Sequence, residues 1–234
     1  MIGFDIASYL SSNEYPGRGI MLGRSADNTK NYILYFIMGR SENSRNRIFK
    51  DTDDGIKTEA FDPTKIVDPS LIIYHPVRFY DGHAIVTNGD QTDTILDALK
   101  GGHCFHYALN SREFEPDSPN YTPRISGLVM PDGSYKLSIL KSADGDPSCC
   151  YRHFYCYDKP IAGLGHIIHT YKGDGNPIPS FEGEPNRVAV SGTLREYADT
   201  VWASLNEANK VSLYACSIDI KSGEREHFII NKNL

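Results

Sequence analysis

The chain of 234 residues carries 24 Lys and Arg against 30 Asp and Glu, a formal charge of −6, with 40% hydrophobic and 23% charged residues. That balance excludes a disordered chain, and a pI near 5.7 excludes a general nucleic-acid or anionic-membrane binder, which needs a basic face. No apolar run approaches the ~20 residues of a membrane-spanning helix, and the opening MIGFDIASYL lacks the basic start of an export signal, so a soluble cytoplasmic protein with no membrane partner is expected.

Residues 3–11 read as a short helix and 18–24 (RGIMLGR) as a first strand. Residues 32–38, YILYFIM, are an unbroken apolar and aromatic run, as in a strand covered on both faces. A polar, arginine-rich segment follows at 40–47. Asp62-Pro63 and Asp68-Pro69 mark a loop ahead of 71–79, where Pro76 restricts pairing and points to an edge strand or a bulge. Asp81-Gly82 then turns the chain into a strand at 83–88. A helix is predicted over 88–102, with Asp90 or Thr92 as cap, Ile95, Leu96 and Leu99 as apolar stripe, and Gly101-Gly102 as stop.

A second helical segment covers 103–112, and a Pro-rich loop leads into strands 124–130 and 134–140, joined by Pro131-Asp132-Gly133. Further strands are predicted at 150–157 and 164–171, and the Gly- and Pro-dense stretch 172–186 is a long loop. Leu194, Tyr197, Val201, Leu205 and Ala208 predict an amphipathic helix over 193–209, before two last strands at 211–219 and 225–231. Hairpin-linked strands dominate and helices do not alternate with them. The expectation is a single α+β domain, residues 1–234, with largely antiparallel sheet.

Motif screens narrow the chemistry. Cys104, Cys149, Cys150, Cys156 and Cys216 read as reduced thiols, and the Cys149/Cys150/Cys156 group with His153 matches no zinc spacing. Cys150, Arg152, Phe154 and Cys156 instead share one face of a strand. The glycines at 17, 19 and 23 miss the dinucleotide fingerprint, because its third glycine falls on Leu22, and no phosphate loop, H-E-x-x-H or G-x-S-x-G occurs. His103, His106, His166 and His169 read as surface or hydrogen-bonded histidines. No metal and no cofactor are expected.

Three polar segments stand out. Arg40, Arg45 and Arg47 crowd RSENSRNR directly after the most apolar strand, and guanidiniums match phosphate or carboxylate with paired hydrogen bonds. The plain alternative is a solvated loop with surface ion pairs. Tyr74-His75-Pro76-Val77-Arg78 places an arginine in an otherwise apolar strand. Thr87-Asn88-Gly89-Asp90-Gln91-Thr92-Asp93-Thr94 gathers hydrogen-bonding side chains at a helix mouth, where free N–H groups favour an anion or an amide-bearing ring. Capping alone needs only one or two of them.

The blocks GRGIMLGRS (17–25), YFIMGRSENSRNRIF (35–49), IIYHPVR (72–78), IVTNGDQTDTI (85–95) and YTPRISG (121–127) together resemble the archaeal-type IMP cyclohydrolases and their bacterial relatives. The resemblance implies an Ntn-hydrolase-like four-layer αββα sandwich that uses no N-terminal nucleophile, in keeping with Ile2. It implies closure of 5-formamidoimidazole-4-carboxamide ribotide to inosine monophosphate with loss of water, so the partner is a purine ribotide. By the match of blocks, the catalytic arginine falls on Arg47 and the catalytic tyrosine on Tyr74, and Asn46, Arg78, Asn88, Asp90, Thr92, Asp93 and Arg124 line the nucleotide site. Two departures stand: the Arg-Ser to Asn-Arg gap is longer here, and Asp90-Gln91 replace a Ser-His pair. Beyond residue 140 no family motif is legible. The competing readings are an Ntn-like amidohydrolase with Cys104 or Cys216 as nucleophile, and a non-catalytic purine-nucleotide binder. The sequence leaves the oligomeric state, a homo-oligomer included, open.

Overall fold

The most apolar run of the sequence becomes the centre of the molecule. The computed structural model describes residues 3–65 and 73–234. Within them lie five α-helices: α1 (Ile6–Ser11), α2 (Glu42–Arg45), α3 (Gln91–Lys100), α4 (Phe105–Asn110) and α5 (Leu194–Ser204). The strands run β1 (Arg18–Arg24), β2 (Lys30–Met38), β3 (Arg47–Thr52), β4 (Gly55–Ala60), β5 (Val77–Tyr80), β6 (His83–Thr87) and β7 (Arg124–Val129). They continue as β8 (Tyr135–Ala143), β9 (Asp146–Tyr157), β10 (Leu164–His169), β11 (Asn186–Ala189), β12 (Lys210–Asp219) and β13 (Arg225–Asn231).

The strands form two antiparallel sheets, ordered β11-β10-β1-β2-β12-β13 and β3-β4-β5-β6-β7-β8-β9. Strand β2 is buried along all but its first residue, as its composition requires. Its alternate side chains serve two cores, because successive residues of a strand point to opposite faces. Ile33, Tyr35 and Ile37 meet Ile56, Val77, Val86, Ile125 and Ile139 of the second sheet. Leu34, Phe36 and Met38 pack instead with Ile6 and Leu10 of α1 and Leu194 and Val201 of α5. On the far side of the second sheet, Ile85, Leu128 and Leu140 meet Ile95, Leu96, Phe105 and Leu109 of α3 and α4. The molecule is thus α+β, with two stacked antiparallel sheets and helices on both outer faces. Ile33→Ala, closed on by both sheets, is expected to cost about 2–5 kcal/mol.

Several sequence expectations need correction. The hairpin β3–β4 is an addition to the predicted elements: Asp53-Asp54 make its two-residue turn, and Gly55, paired with Thr52, takes a positive φ of 153°. Strand β5 is interior, not an edge: it begins one residue after Pro76 and pairs with both β4 and β6. The Pro76 carbonyl accepts the Thr87 N–H at 2.8 Å, so the proline sits where no N–H is asked of it. Residues 71 and 72 of the predicted strand lie outside the described residues.

Helix α5 stops at Ser204 rather than running to 209. Leu205 is extended, and the Asn206 side chain accepts the Ala208 and Asn209 N–H groups at 3.0 and 3.2 Å, a local turn that competes with the helix. Neither predicted cap of α3 acts as one: Asp90 makes no side-chain cap bond, and Thr92 lies inside the helix. The 172–186 stretch is a loop as predicted, but a packed one, with Ile178 and Phe181 buried.

Candidate active site

Strands β1 and β7 begin, and β2, β6 and β10 end, at one end of the stack, as the pairs Arg18↔Ile37, Gly19↔His169, Thr87↔Ser126 and Arg124↔Leu140 show. Polar residues collect there because the two apolar faces run out. The predicted site residues divide between two places at this end, one between the sheets and one on the α3 side of the second sheet.

Between the sheets stands Arg47, 1% exposed. Its Nε–H donates to the Ser44 carbonyl at 2.8 Å and Nη2 to the Met38 carbonyl at 3.3 Å, so the ends of α2 and β2 hold the fork. Nη1 is buried with no acceptor among the described residues. Burial, and after it the neighbouring Arg18 charge, hold the Arg47 pKa below its ordinary value. Tyr74 is buried beside it, its hydroxyl 2.8 Å from that of Tyr35 on β2. Thr58 locks the Tyr74 backbone: the Tyr74 N–H donates to Thr58 Oγ1 at 2.9 Å, and the Tyr74 carbonyl accepts the Thr58 N–H at 2.9 Å. Burial, then the neighbouring Tyr74 oxygen, pushes the Tyr35 pKa far up, so Tyr35 keeps its proton.

Two further charged residues complete this cluster. Arg18 opens β1 with its side chain 12% exposed, and its Nη2 lies 3.6 Å from Oε2 of Glu115, whose side chain is 2% exposed. Burial raises the Glu115 pKa, partly opposed by Arg18, Arg124 and Arg47. Neither residue was singled out in the sequence, nor was Tyr35 read as more than core. Arg18 had a signal, standing in the same glycine-flanked block as the family match. Glu115 had none, since it sits in an ordinary Pro-rich loop.

On the α3 side, Arg124 Nη1 donates to Asp90 Oδ1 at 2.7 Å and to Gln91 Oε1 at 2.8 Å, and Arg112 meets the other Asp90 oxygen at 2.5 Å. Burial works to raise the Asp90 pKa, but the two guanidiniums outweigh it and hold the carboxyl below its usual range. Gly89 makes this arrangement possible: a Cβ there would lie 2.6 Å from Arg124 Nη1 and 2.7 Å from Gln91 Oε1. Asn88 is fully buried, its Oδ1 accepting the Ile125 N–H and Gln91 Nε2 and its Nδ2 donating to the Pro123 carbonyl. Thr92 Oγ1 is 2.6 Å from Thr87 Oγ1 and donates to the Gly89 carbonyl. These two side chains shape the helix mouth.

Arg78 stands apart, met by Asp54 at 2.7 Å, Asp93 at 2.9 Å and His75 Nδ1 at 3.0 Å. Its charge is balanced within the protein. Asn46 clips the chain, its Nδ2 donating to the Asp62 carbonyl and its Oδ1 accepting the Asp62 N–H. Arg45 lies in α2, and its Nε–H donates to the Gly39 carbonyl.

A cleft of about 260 Å³ opens at this same end, between Asn120, Lys141 and Ser142 on one side and Ile178, Ser180 and Glu182 on the other. The loop that forms its second wall is tied across the end by an ion pair from Arg40 to Asp174 and by Arg40 donating to the Gly175 carbonyl. A larger hollow of about 530 Å³, by Asp27, Lys30 and Thr193, lies at the opposite end of the first sheet and holds none of the predicted residues.

Two guanidiniums beside two phenols, buried at one end of a two-sheet stack, form a donor set that can stabilise negative charge developing on a carbonyl oxygen. A family model described as IMP cyclohydrolase-like protein matches residues 15–223. An IMP cyclohydrolase of Methanopyrus kandleri is 31% identical over 182 residues, 72% of this chain and 89% of that protein. One from Methanococcus maripaludis is 32% identical over 126 residues, 52% of this chain and 61% of that protein. One from Halobacterium salinarum is 29% identical over 132 residues, 55% of this chain and 63% of that protein. The chain belongs to the IMP cyclohydrolase-like family and is an enzyme of that type.

Proposed function

We propose that the protein closes 5-formamidoimidazole-4-carboxamide ribotide to inosine monophosphate with loss of water, at the end of the stack where the Arg47 cluster and the Arg124 cluster both lie. The observation that carries this reading is the joining of Arg47 and Tyr74, remote in sequence, in one buried cluster with Tyr35 and Arg18. The stack of two antiparallel sheets between helices supports an Ntn-hydrolase-like αββα assignment. Cores that mix residues from both ends of the chain support a single working unit over 1–234.

The carboxamide nitrogen is a weak nucleophile, so holding it against the formyl carbon supplies much of the rate. As the C–N bond forms, the carbonyl pair moves onto the formyl oxygen, whose charge the Arg47 guanidinium stabilises. That oxygen leaves as water with one proton from the attacking nitrogen and one from the formamido nitrogen. Tyr74 delivers one of them and recovers the other, ending as it began. While Tyr74 is deprotonated, the Tyr35 hydroxyl and the nearby guanidiniums stabilise its oxygen. Guanidinium and phenol supply the electrophile and the acid, so the chemistry calls for no metal or redox cofactor.

Arg124 and Arg112, two cations sharing the single carboxylate of Asp90, offer the net positive charge for the 5′-phosphate. Asn46, Asn88 and Thr92 frame the site through their own internal bonds, whereas Arg78 and Asp93 pair with each other outside it.

An amidohydrolase would need a nucleophile in the cluster. Cys216 lies fully buried in mid-β12 with its thiol pushed up to about 11 by burial, and Cys104 sits exposed ahead of α4. Adding the formamido ribotide and following inosine monophosphate by absorbance tests the reading. Turnover supports it, and binding without turnover would leave a nucleotide-binding protein.

A further inference from the structure

The edge of a β-sheet exposes a row of unpaired backbone N–H and C=O groups, and natural proteins guard it with charges, prolines, bulges or a covering segment. Three of the four edges here are guarded. On β11 the Phe4 segment covers the ladder, its N–H donating to the Arg187 carbonyl at 2.8 Å and its carbonyl accepting the Ala189 N–H at 2.9 Å. Strands β3 and β13 are tied to each other by the Asn231 side chain, which accepts the Phe49 N–H at 2.8 Å and donates to the Phe49 carbonyl at 3.0 Å. Lys50 and Asp51 on β3, and Arg225 and Glu226 on β13, add charge.

Strand β9 differs. It is 12 residues long, ends its sheet, and among the described residues pairs only with β8. Pro147 and the register shift between Ser142 and Ala143 guard only its start. Over 149–157, CCYRHFYCY, the one Lys, Arg, Asp or Glu is Arg152. That guanidinium is turned back onto its own chain, donating to the Arg112 carbonyl at 3.0 Å and lying 3.6 Å from Glu113. Cys149, Tyr151, His153 and Cys156 are exposed, and the Tyr151 and His153 rings meet edge to face.

We propose that β9 is the docking edge for a second copy of this chain, the two strands pairing antiparallel about a two-fold axis at His153 and joining their second sheets into one. The inference stands independently of the cyclohydrolase reading. A bare ladder takes an extended strand, and the order of residues selects β9 itself. Facing residues of an antiparallel pair share a face of the sheet, so the residue at the axis faces its own copy. An axis at Arg152 would set two guanidiniums face to face, and one at Phe154 would push Cys150 against Asp158, beyond the strand. The axis at His153 keeps all of 149–157 in the ladder. It sets Arg152 opposite Phe154 of the second copy, a cation against a ring, and Cys150 opposite Cys156 of the second copy. Such a ladder carries about eight to ten inter-strand hydrogen bonds, the number found in a typical protein interface.

Sedimentation of the full chain over a concentration series reads the association, and the thiol oxidant diamide reads the register. Where Cys150 faces Cys156 of the second copy, two thiols give up two protons and two electrons to the diamide N=N bond, which becomes a hydrazide, and one S–S bond forms. Facing Cβ atoms about 4.5–5.5 Å apart need only a small adjustment for this. A cross-linked dimer is expected on a non-reducing gel for the unaltered protein and for Cys149→Ser. Cys150→Ser and Cys156→Ser should each lose it alone, and a mixture of the two should regain it, because one Cys150–Cys156 contact survives in the mixed dimer. His153→Lys, at an exposed position, sets two ammonium groups together at the axis and should weaken association about tenfold or more. A chain that stays monomeric at tens of micromolar would overturn the proposal, and so would a dimer that His153→Lys leaves intact. A cross-link that persists in Cys150→Ser or Cys156→Ser alone, or that the mixture fails to regain, would overturn the pairing about His153.

Discussion

Replacing Tyr74 with phenylalanine separates acid chemistry from packing, because the ring stays and only the hydroxyl goes. The structure sets two magnitudes. Tyr74 and Tyr35 share a hydroxyl–hydroxyl contact of 2.8 Å in a buried setting, so either Tyr→Phe change leaves the other hydroxyl without that partner, at about 1–3 kcal/mol. For a chain of this size that lowers Tm by about 2–4 °C per kcal/mol. If Tyr74 protonates the departing oxygen, Tyr74→Phe also loses about 10²–10⁴ in kcat, equivalent to roughly 3–5 kcal/mol of transition-state stabilisation.

Tyr35→Phe is the control. It breaks the same hydrogen bond from the other side, so its stability loss should match, while its kcat should fall by only about tenfold or less through weaker support of the Tyr74 oxygen. The assay is inosine monophosphate formation at saturating ribotide, with thermal unfolding of each variant alongside. KM should move little in Tyr74→Phe, because the lost interaction exists mainly in the transition state. Wild-type kcat in Tyr74→Phe, or equal losses in both variants, would remove Tyr74 as the acid and leave positioning and the guanidiniums to carry the rate.

Three other outcomes follow from the same geometry. Arg47→Lys keeps the charge but cannot reach both the Ser44 and Met38 carbonyls and still face the site, so kcat should drop about 10²-fold or more, whereas a surface role would leave it unchanged. Gly89→Ala places a methyl group 2.6 Å from Arg124 Nη1 and should raise KM several-fold with little change in kcat; an unaltered KM would show that Arg124 does not meet the ribotide. His169 is buried between the Tyr9 hydroxyl at 2.6 Å and the Tyr171 carbonyl at 2.7 Å, and burial holds its pKa down to about 4. Since the unfolded chain protonates this ring near pH 6.5 and the folded one does not, its contribution is fully present above that pH and is lost as pH falls towards 4, about 2 kcal/mol by pH 5. Urea unfolding at pH 7.5 and 5.0 should show this loss, and His169→Gln should flatten it; an unchanged slope would refute the assignment.

Local pattern alone was enough for the framework. The run 32–38 could only be a strand covered twice, the Asp-Gly and Pro-Asp-Gly turns dictated hairpins, and Leu194, Tyr197 and Val201 dictated a helix stripe, because each rests on a periodicity or turn chemistry that a single segment carries. The hairpin β3–β4 escaped because its strands are half polar and its apolar residues few. Arg47 and Tyr74 were marked by residue type and family resemblance, but nothing in the chain order says that they share one cluster. That was decided by the stacking of two sheets, which brings the starts of β1 and β3 and the segment before β5 to one end and buries them together. The same stacking turned Arg18, Tyr35 and Glu115 from an ordinary strand start, a core ring and a loop acid into neighbours of the proposed reaction. It also set Arg78 and Arg124 on the opposite face of the second sheet, against carboxylates, because alternation along a strand sends adjacent side chains to opposite sides and only the assembled sheet determines what each side meets.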